Sequence, residues 1–230
     1  MLFSSPIFLF AFLPIFLALY LALPSLRARN ALLLVGSLLF YAWGEQGYVL
    51  ILIACVAFNY GLGLWIDRAR GGVSGKHILM AAVALNLSLL GFFKYANFGV
   101  DNLDMLLGMA GLGGVALAPV HLPIGISFFT FQAITYVVDI HRGEAPAQQG
   151  PLRVSLYIAL FPQLIAGPIV RYRQIADQLT ERPGRLQDVA EGIRRFIVGL
   201  AKKVLIANTL ALPADRILAI PAGELEPSVA

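Results

Sequence analysis

Charge is what this chain has least of. Asp, Glu, Lys and Arg make up 13% of its 230 residues, where soluble domains carry roughly 25%. That scarcity excludes a soluble globular domain. The net charge of +4 is no nucleic-acid footprint either, because in an apolar chain positive charge is read by where it sits. Cysteine is nearly missing: Cys55 stands alone inside an apolar run, so no intrachain disulfide forms, and it reads as a small buried apolar residue. Only three histidines occur. His77 and His141 flank apolar runs and His121 precedes one, so none lies within the apolar body. There is no metal-ligand cluster, no Gly-rich phosphate loop and no nucleophile elbow. No basic segment precedes the first apolar run and no small-residue cleavage site follows it. Residues 6–23 therefore read as a retained span and not a removed signal peptide. Internal repeats and low-complexity tails are also missing.

What remains is apolar and helical. Hydrophobic residues make up 59% of the chain, and mean hydropathy is +0.79. The runs are long and rich in Leu, Ile and Phe, not alternating, which favours helices over an outer-membrane barrel. The sequence predicts an all-α polytopic membrane protein with six spans, a re-entrant segment and an interfacial helix. Spans fall over 6–23 (with Pro14 inside), 30–44, 48–66, 78–95, 122–140 and 186–211. The second is short for a crossing, and its aromatic end, Phe40, Tyr41 and Trp43, is expected at the interface. Residues 98–118, with Asp101 and Asp104 and then a Gly-rich patch, read as an interfacial helix plus loop.

The most informative stretch is 152–170. Pro162, Gly167 and Pro168 break it, and Gln163 sits in its middle. Broken backbone at membrane depth is tolerated only where it is buried in protein or lines a cavity. With the N-terminus outside, the cytoplasmic side collects Arg27, Arg29, Arg68, Arg70, Lys76, Arg142, Arg153, Arg171, Arg173, Arg182, Arg185, Arg194 and Arg195. The outer side holds Lys94 and Arg216, while Lys202 and Lys203 lie within the last helix. This asymmetry orients the chain and requires the broken segment to enter and leave on the cytoplasmic side.

Two groups of polar residues could form a site. Gln132, Thr135, Tyr136 and Asp139 make one stripe of a helix. They either line a polar tunnel or hold the bundle together by interhelical hydrogen bonds. Asp139, near the cytoplasmic end, reads as the structural partner of an arginine before it reads as a base. In the broken segment, Gln163 and the Gly167–Pro168 break could present backbone groups to a polar ligand. Arg171 and Arg173 just after it could meet phosphates of a cofactor or of lipid headgroups. Gln132, Asp139, Gln163, Gly167, Pro168 and Arg171 are the candidate substrate-lining residues. No catalytic or metal-binding residue is visible.

Three motifs resemble the membrane-bound O-acyltransferase family, in its bacterial alginate O-acetyltransferase branch. They are Leu122-Pro-Ile-Gly-Ile-Ser-Phe-Phe-Thr-Phe-Gln132, Tyr136-Val-Val-Asp-Ile-His-Arg-Gly143 and Phe161-Pro-Gln-Leu-Ile-Ala-Gly-Pro-Ile-Val-Arg171. Phe40-Tyr-Ala-Trp-Gly44, Phe92-Phe-Lys-Tyr95 and Gly199-Leu-Ala-Lys-Lys203 are similar to the same branch. The resemblance covers essentially the whole chain as one domain over 1–230. It implies a multi-helix funnel through the bacterial inner membrane. It further implies transfer of an acetyl group from a cytoplasmic thioester, acetyl-CoA by default, toward hydroxyls of an exported polysaccharide. Periplasmic acetylation proteins and membrane lipid are the implied partners, and nucleic acid is not one.

A buried histidine serves as general base in that family. Its two histidine motifs, Trp-Arg-Arg-Trp-His-like and Gly-Leu-Trp-His-Gly-like, do not occur here, and His141 stands where relatives carry tyrosine. The chain is therefore expected to be the N-terminal part of such an enzyme and inactive alone. The alternative from another class is a transporter or channel subunit with a broken-helix polar site.

Overall fold

A computed structural model describes residues 3–111, 118–164, 167–182 and 186–220. Among these every regular element is a helix and no strand occurs. The Gly-rich patch at the end of the predicted interfacial segment lies mostly outside the described residues. The chain divides into two units, 15–182 and 2–14 with 183–230.

In the first unit, α1 (Leu13–Ala22) leads to Ser25, whose hydroxyl accepts from the Ala28 N–H at 3.2 Å and starts α2 (Leu26–Glu45). A 3-10 turn at Gln46–Tyr48 reverses the chain into α3 (Val49–Arg68). Each of α2 and α3 has 20 residues, about 30 Å at 1.5 Å per residue, the thickness of a bilayer's hydrocarbon core. The helix at the second span is thus long enough for a full crossing and starts four residues earlier than the expected 30–44. Its aromatic end also departs from expectation. Phe40 and Tyr41 are each 1% exposed and face the core, and only Trp43, at 69%, faces outward.

α4 (Val73–Met109) runs unbroken for 37 residues, about 55 Å. No separate interfacial helix begins near residue 98. Lys94, Asp101 and Asp104 look like a surface end in sequence, but charge in water does not stop a helix, and no proline intervenes. α5 (Ile126–Arg142) is shorter than the expected 122–140 at its start, because Gly125 sits in the left-handed region at φ +78°.

Contacts sort the loops of this unit onto two faces. On the basic face, Asn30 donates to the Leu179 carbonyl at 3.1 Å and accepts from Arg182 at 2.6 Å. The Tyr60 hydroxyl donates to the Gln149 carbonyl at 2.9 Å. On the opposite face, His121 Nε2 lies 3.0 Å from Glu45 Oε2. There Asn97 both donates to and accepts from Val120, at 2.9 and 2.7 Å, and the rings of Tyr48 and Phe93 meet at 6.3 Å. The distribution of arginines thus corresponds to a real sidedness.

Between the faces, α5 packs on α3 and α4, with Phe129, Ala133, Tyr136, Val137 and Ile140 fully buried. A Cβ at Gly63 of α3 would lie 2.4 Å from Tyr136 Cε1, so only glycine admits the tyrosine there. At mid-depth Asn59 and Asn86 exchange amide hydrogen bonds of 3.0 and 2.8 Å, and each also donates to the carbonyl four residues before it. Cys55 lies 3.8 Å from Asn86 and is buried.

The second unit contains a π-helical turn at Phe8–Phe12, just before Pro14, a residue with no N–H to continue the α-helical ladder. It also contains α9 (Leu186–Ala201), a π turn at Lys202–Ala207 that holds both lysines, and α10 (Asn208–Leu218). The last helix therefore continues past the expected Ala211, with Pro213 inside it. Glu191 and Arg195 pair as their spacing predicts. Ile193, Phe196, Ile197 and Val204 stand exposed along it.

Candidate functional site

The broken segment begins on the basic face as α6 (Pro151–Ala159). Nine residues rise about 14 Å, half the apolar depth. Leu160 then turns extended, with φ −63° and ψ 116°, and the short α7 (Phe161–Leu164) follows. Such a break frees backbone groups that must find partners away from water. The Phe161 N–H, which a continuous helix would give to Tyr157, instead reaches Ser37 Oγ of α2 at 3.1 Å. The Tyr157 carbonyl left over accepts from the Gln163 side chain at 2.7 Å. Ser37 lies ten residues beyond Arg27 along α2, about 15 Å in, so the tip of the segment reaches mid-depth. Phe161 wedges there against Phe16 and Phe40, with ring centroids 5.5 and 5.3 Å away.

The chain then returns to the face it came from. The Val170 carbonyl accepts from the Tyr157 hydroxyl at 2.8 Å. The Thr135 hydroxyl lies 2.5 Å from the same Tyr157 hydroxyl and also reaches the Gln132 carbonyl at 2.9 Å, so one hydroxyl pair ties α5 to the returning segment. The return ends in the single turn α8 (Tyr172–Ile175). Asp139 Oδ2 accepts from the Arg173 N–H at 3.0 Å, at the positive end of this turn. Gln174 accepts from the Arg171 N–H at 3.0 Å. Residues 152–164 and 167–170 therefore lead in from one face and back to it, the path of the re-entrant element that the charge pattern requires.

The predicted site residues end up in different environments. Asp139, 3% exposed, does engage an arginine, but through its backbone; the Arg173 guanidinium pairs with Glu144 at 2.8 Å. Gln163 is committed to the Tyr157 carbonyl. Gln132 is 1% exposed, and its Oε1, like Thr130 Oγ1, has no hydrogen-bond partner among the described residues. Leaving such a group unpaired costs about 1–3 kcal/mol, so α5 carries acceptors that these residues do not use. Gly167 (φ +138°), Pro168 and Arg171 lie exposed on the returning segment.

A cluster that sequence reasoning missed ties these pieces together. Tyr172 packs edge-on against Tyr136 at 4.8 Å and against Tyr157 at 5.3 Å. Its hydroxyl donates to the Pro146 carbonyl at 2.6 Å and accepts from Gln148 at 2.9 Å, and Arg153 holds Gln148 from behind. Burial pushes the Tyr172 phenol above its ordinary pKa, against the opposing hydrogen bond from Gln148, so the group is a neutral donor at physiological pH. Tyrosines at the ends of apolar runs give no sequence signal that separates this cluster from interface anchors. Among the described residues no three His, Cys, Asp or Glu side chains gather as a metal site. His77 and His141 sit at helix ends, and His121 is held by Glu45 on the opposite face. The arrangement can position and desolvate a polar group at mid-depth, and among the described residues it holds no paired nucleophile and base.

No family model matches the chain, and no solved structure matches it significantly. Individual proteins do. The chain is 45% identical over 223 residues to a probable alginate O-acetylase AlgI of Pseudomonas syringae pv. tomato, covering 96% of the chain and 42% of that protein. It is 33% identical to a peptidoglycan O-acetyltransferase of Helicobacter pylori, covering 94% of the chain and 46% of the relative. A teichoic acid D-alanyltransferase of Lacticaseibacillus rhamnosus is 26% identical over 59% of the chain and 38% of its own length. The chain thus spans less than half the length of the curated relatives it matches. With likeness over nearly its whole length to proteins of this one class, and with the all-helical, re-entrant architecture of a polytopic membrane protein, the chain belongs to the membrane-bound O-acyltransferase family, in the branch of the proteins named alginate O-acetylases.

Proposed function

We propose that the chain forms the donor-side part of a membrane O-acetyltransferase in the bacterial cytoplasmic membrane. It works on hydroxyls of an exported polysaccharide such as alginate. The basic face is cytoplasmic. A thioester donor, acetyl-CoA, approaches there, and the acetyl group passes inward along the re-entrant element toward an acceptor on the far side. Periplasmic acetylation proteins then carry it to the polymer. A base takes the acceptor hydroxyl's proton as the oxygen attacks the thioester carbonyl, the carbon–sulfur bond breaks and the thiol leaves. Among the described residues none is paired with a nucleophile in that role, and this reading assigns the base to the part of the relatives' length that the chain does not span.

The observation that carries this reading is the 42–45% identity to proteins named alginate O-acetylases over 96% of the chain. The geometry supports it: an element that reaches mid-depth from the basic face shortens the path an acetyl group must travel to about half the membrane.

The test uses an alginate-producing strain without its own O-acetylase. The 230-residue chain is expressed alone and joined to the C-terminal remainder of the Pseudomonas syringae relative, and ester acetate on the polymer is measured. Acetate is expected from the joined protein and none from the chain alone. Gln163→Ala and Arg171→Ala in the joined form are expected to lower acetate at least several-fold at equal membrane abundance. A joined protein that is abundant but yields no acetate, while moving a solute across vesicles, would establish the transporter reading instead. Unchanged acetate in both variants rejects a part for either residue in the transfer path.

A further inference from the structure

On the basic face, α2 and α6 begin side by side around an open vestibule of about 670 Å³. Arg27 and Arg153 line it, with Ser25, Asn30 and Thr180 as its polar groups and, among the described residues, no carboxylate in its wall. Arg27 is exposed and makes no ion pair among the described residues. Among the described residues the Arg153 guanidinium bonds at 3.3 Å to the neutral Gln148 and makes no ion pair. Both helices point their N-terminal, positive ends at this space. Deeper between the same two helices and α3 lies a groove of about 290 Å³ walled by Leu34, Leu38, Val56 and Ala57. Arg27, Leu34 and Leu38 fall at i, i+7 and i+11, one stripe of α2, so the helix that presents the guanidinium at the surface also walls the groove below. Tyr60, whose hydroxyl is already spent on Gln149, and Ser155 are the groove's polar side chains.

We propose that this vestibule and groove together bind one anionic phospholipid. Its phosphate sits between Arg27 and Arg153, and one hydrocarbon chain lies along Leu34, Leu38 and Val56. Charge complementarity fixes the head: two guanidinium groups without an acidic partner match a phosphate through paired N–H donors. The groove fixes the tail. A free phosphate or a nucleotide fills the vestibule alone and gains nothing from an apolar cleft at membrane depth. A zwitterionic lipid fills the groove but sets a choline cation against the arginines. Only an anionic amphiphile uses both. The site shares α6 with the re-entrant element, but lipid binding there does not depend on the proposed transferase activity.

The purified full chain, delipidated in detergent, is titrated with phosphatidylglycerol, phosphatidylcholine and inorganic phosphate and read by native mass spectrometry. Retention of one phosphatidylglycerol is expected, about ten-fold tighter than phosphatidylcholine. The double variant Arg27→Gln/Arg153→Gln is expected to lose that preference. Ala57→Trp, which fills the groove, is expected to weaken lipid binding by about ten-fold. Because Arg153 supports Gln148, Arg27→Gln alone serves as the variant that leaves the fold intact, and it is expected to weaken binding in the same direction. Equal retention of both lipids, or phosphatidylglycerol binding untouched by Arg27→Gln and the double variant, overturns the proposal. Inorganic phosphate that displaces the lipid from wild type and Ala57→Trp alike also overturns it, by showing a soluble-phosphate site.

Discussion

Asn59 and Asn86 show how much a single polar pair governs in this apolar chain. Each amide is buried, 0% and 2% exposed, and each satisfies the other. In lipid such an interhelical pair is worth about 1–2 kcal/mol at most, but removing one partner strands the other. Asn59→Leu is therefore expected to lower stability in detergent by about 1–3 kcal/mol, and Asn59→Leu/Asn86→Leu to recover part of that loss. Thermal unfolding of Asn59→Leu, Asn86→Leu and the double variant checks this, and a double variant worse than the sum of the singles rules out the stranding argument. Gly63→Ala acts by volume. Its methyl group would meet Tyr136 at 2.4 Å, so a loss of about 1–3 kcal/mol is expected from overpacking. An unaltered melting temperature contradicts the close approach. The stripe Gln132 to Asp139 was legible in sequence from its helical spacing. Its partners were not, because Asp139 meets a backbone amide 34 residues on and Asn30 a carbonyl 149 residues on. Only the folded chain sets such pairings.

Among the elements, the re-entrant segment depends on one hydroxyl that belongs to another helix. Ser37 occupies both of its roles: it donates to the Leu33 carbonyl at 2.6 Å and accepts from the Phe161 N–H at 3.1 Å. Ser37→Ala leaves that amide unpaired at mid-depth, at a cost of about 1–3 kcal/mol. The loss is expected to be local. Amide exchange over 157–163 should speed up while that of α3 and α5 stays slow, and protection unchanged at Phe161 would show that the serine is dispensable. The break itself was legible, because Pro162, Gly167 and Pro168 in an apolar run cannot form a straight span. The length of α4 was not legible. Lys94 and Asp101 resemble the end of a crossing, and nothing local tells a helix that leaves the bilayer from one that stops there. Phe40 and Tyr41 misled for a related reason: an aromatic pair near a helix end fits an interfacial belt, but the re-entrant tip supplies Phe161 as a partner and draws Phe40 inward.

For the molecule as a whole, sidedness is the property that composition and contacts determine together. Arginines set the orientation through their cost of translocation, and the contacts of Asn30, Tyr60 and Asp139 independently gather the same loops on one face. Cys55 is 5% exposed and so provides a silent background for thiol labelling. Ser74→Cys and Glu181→Cys are expected to react with a membrane-impermeant maleimide only after the cytoplasmic side is opened. Asp101→Cys and Ala118→Cys are expected to react in intact cells from which the outer membrane has been removed. The pair 101 and 118 tests two claims at once, because Asp101 lies on the part of α4 read from sequence as a separate interfacial helix. If α4 carries straight on past Asn97, which is bonded to Val120, residues 101 and 118 share a side and label together. Labelling of Asp101→Cys from the cytoplasm would break both the orientation and the continuity of α4. Labelling of Ser74→Cys and Glu181→Cys from opposite sides would leave the re-entrant element without a common entry and exit, and with it the donor path that the proposed transferase requires.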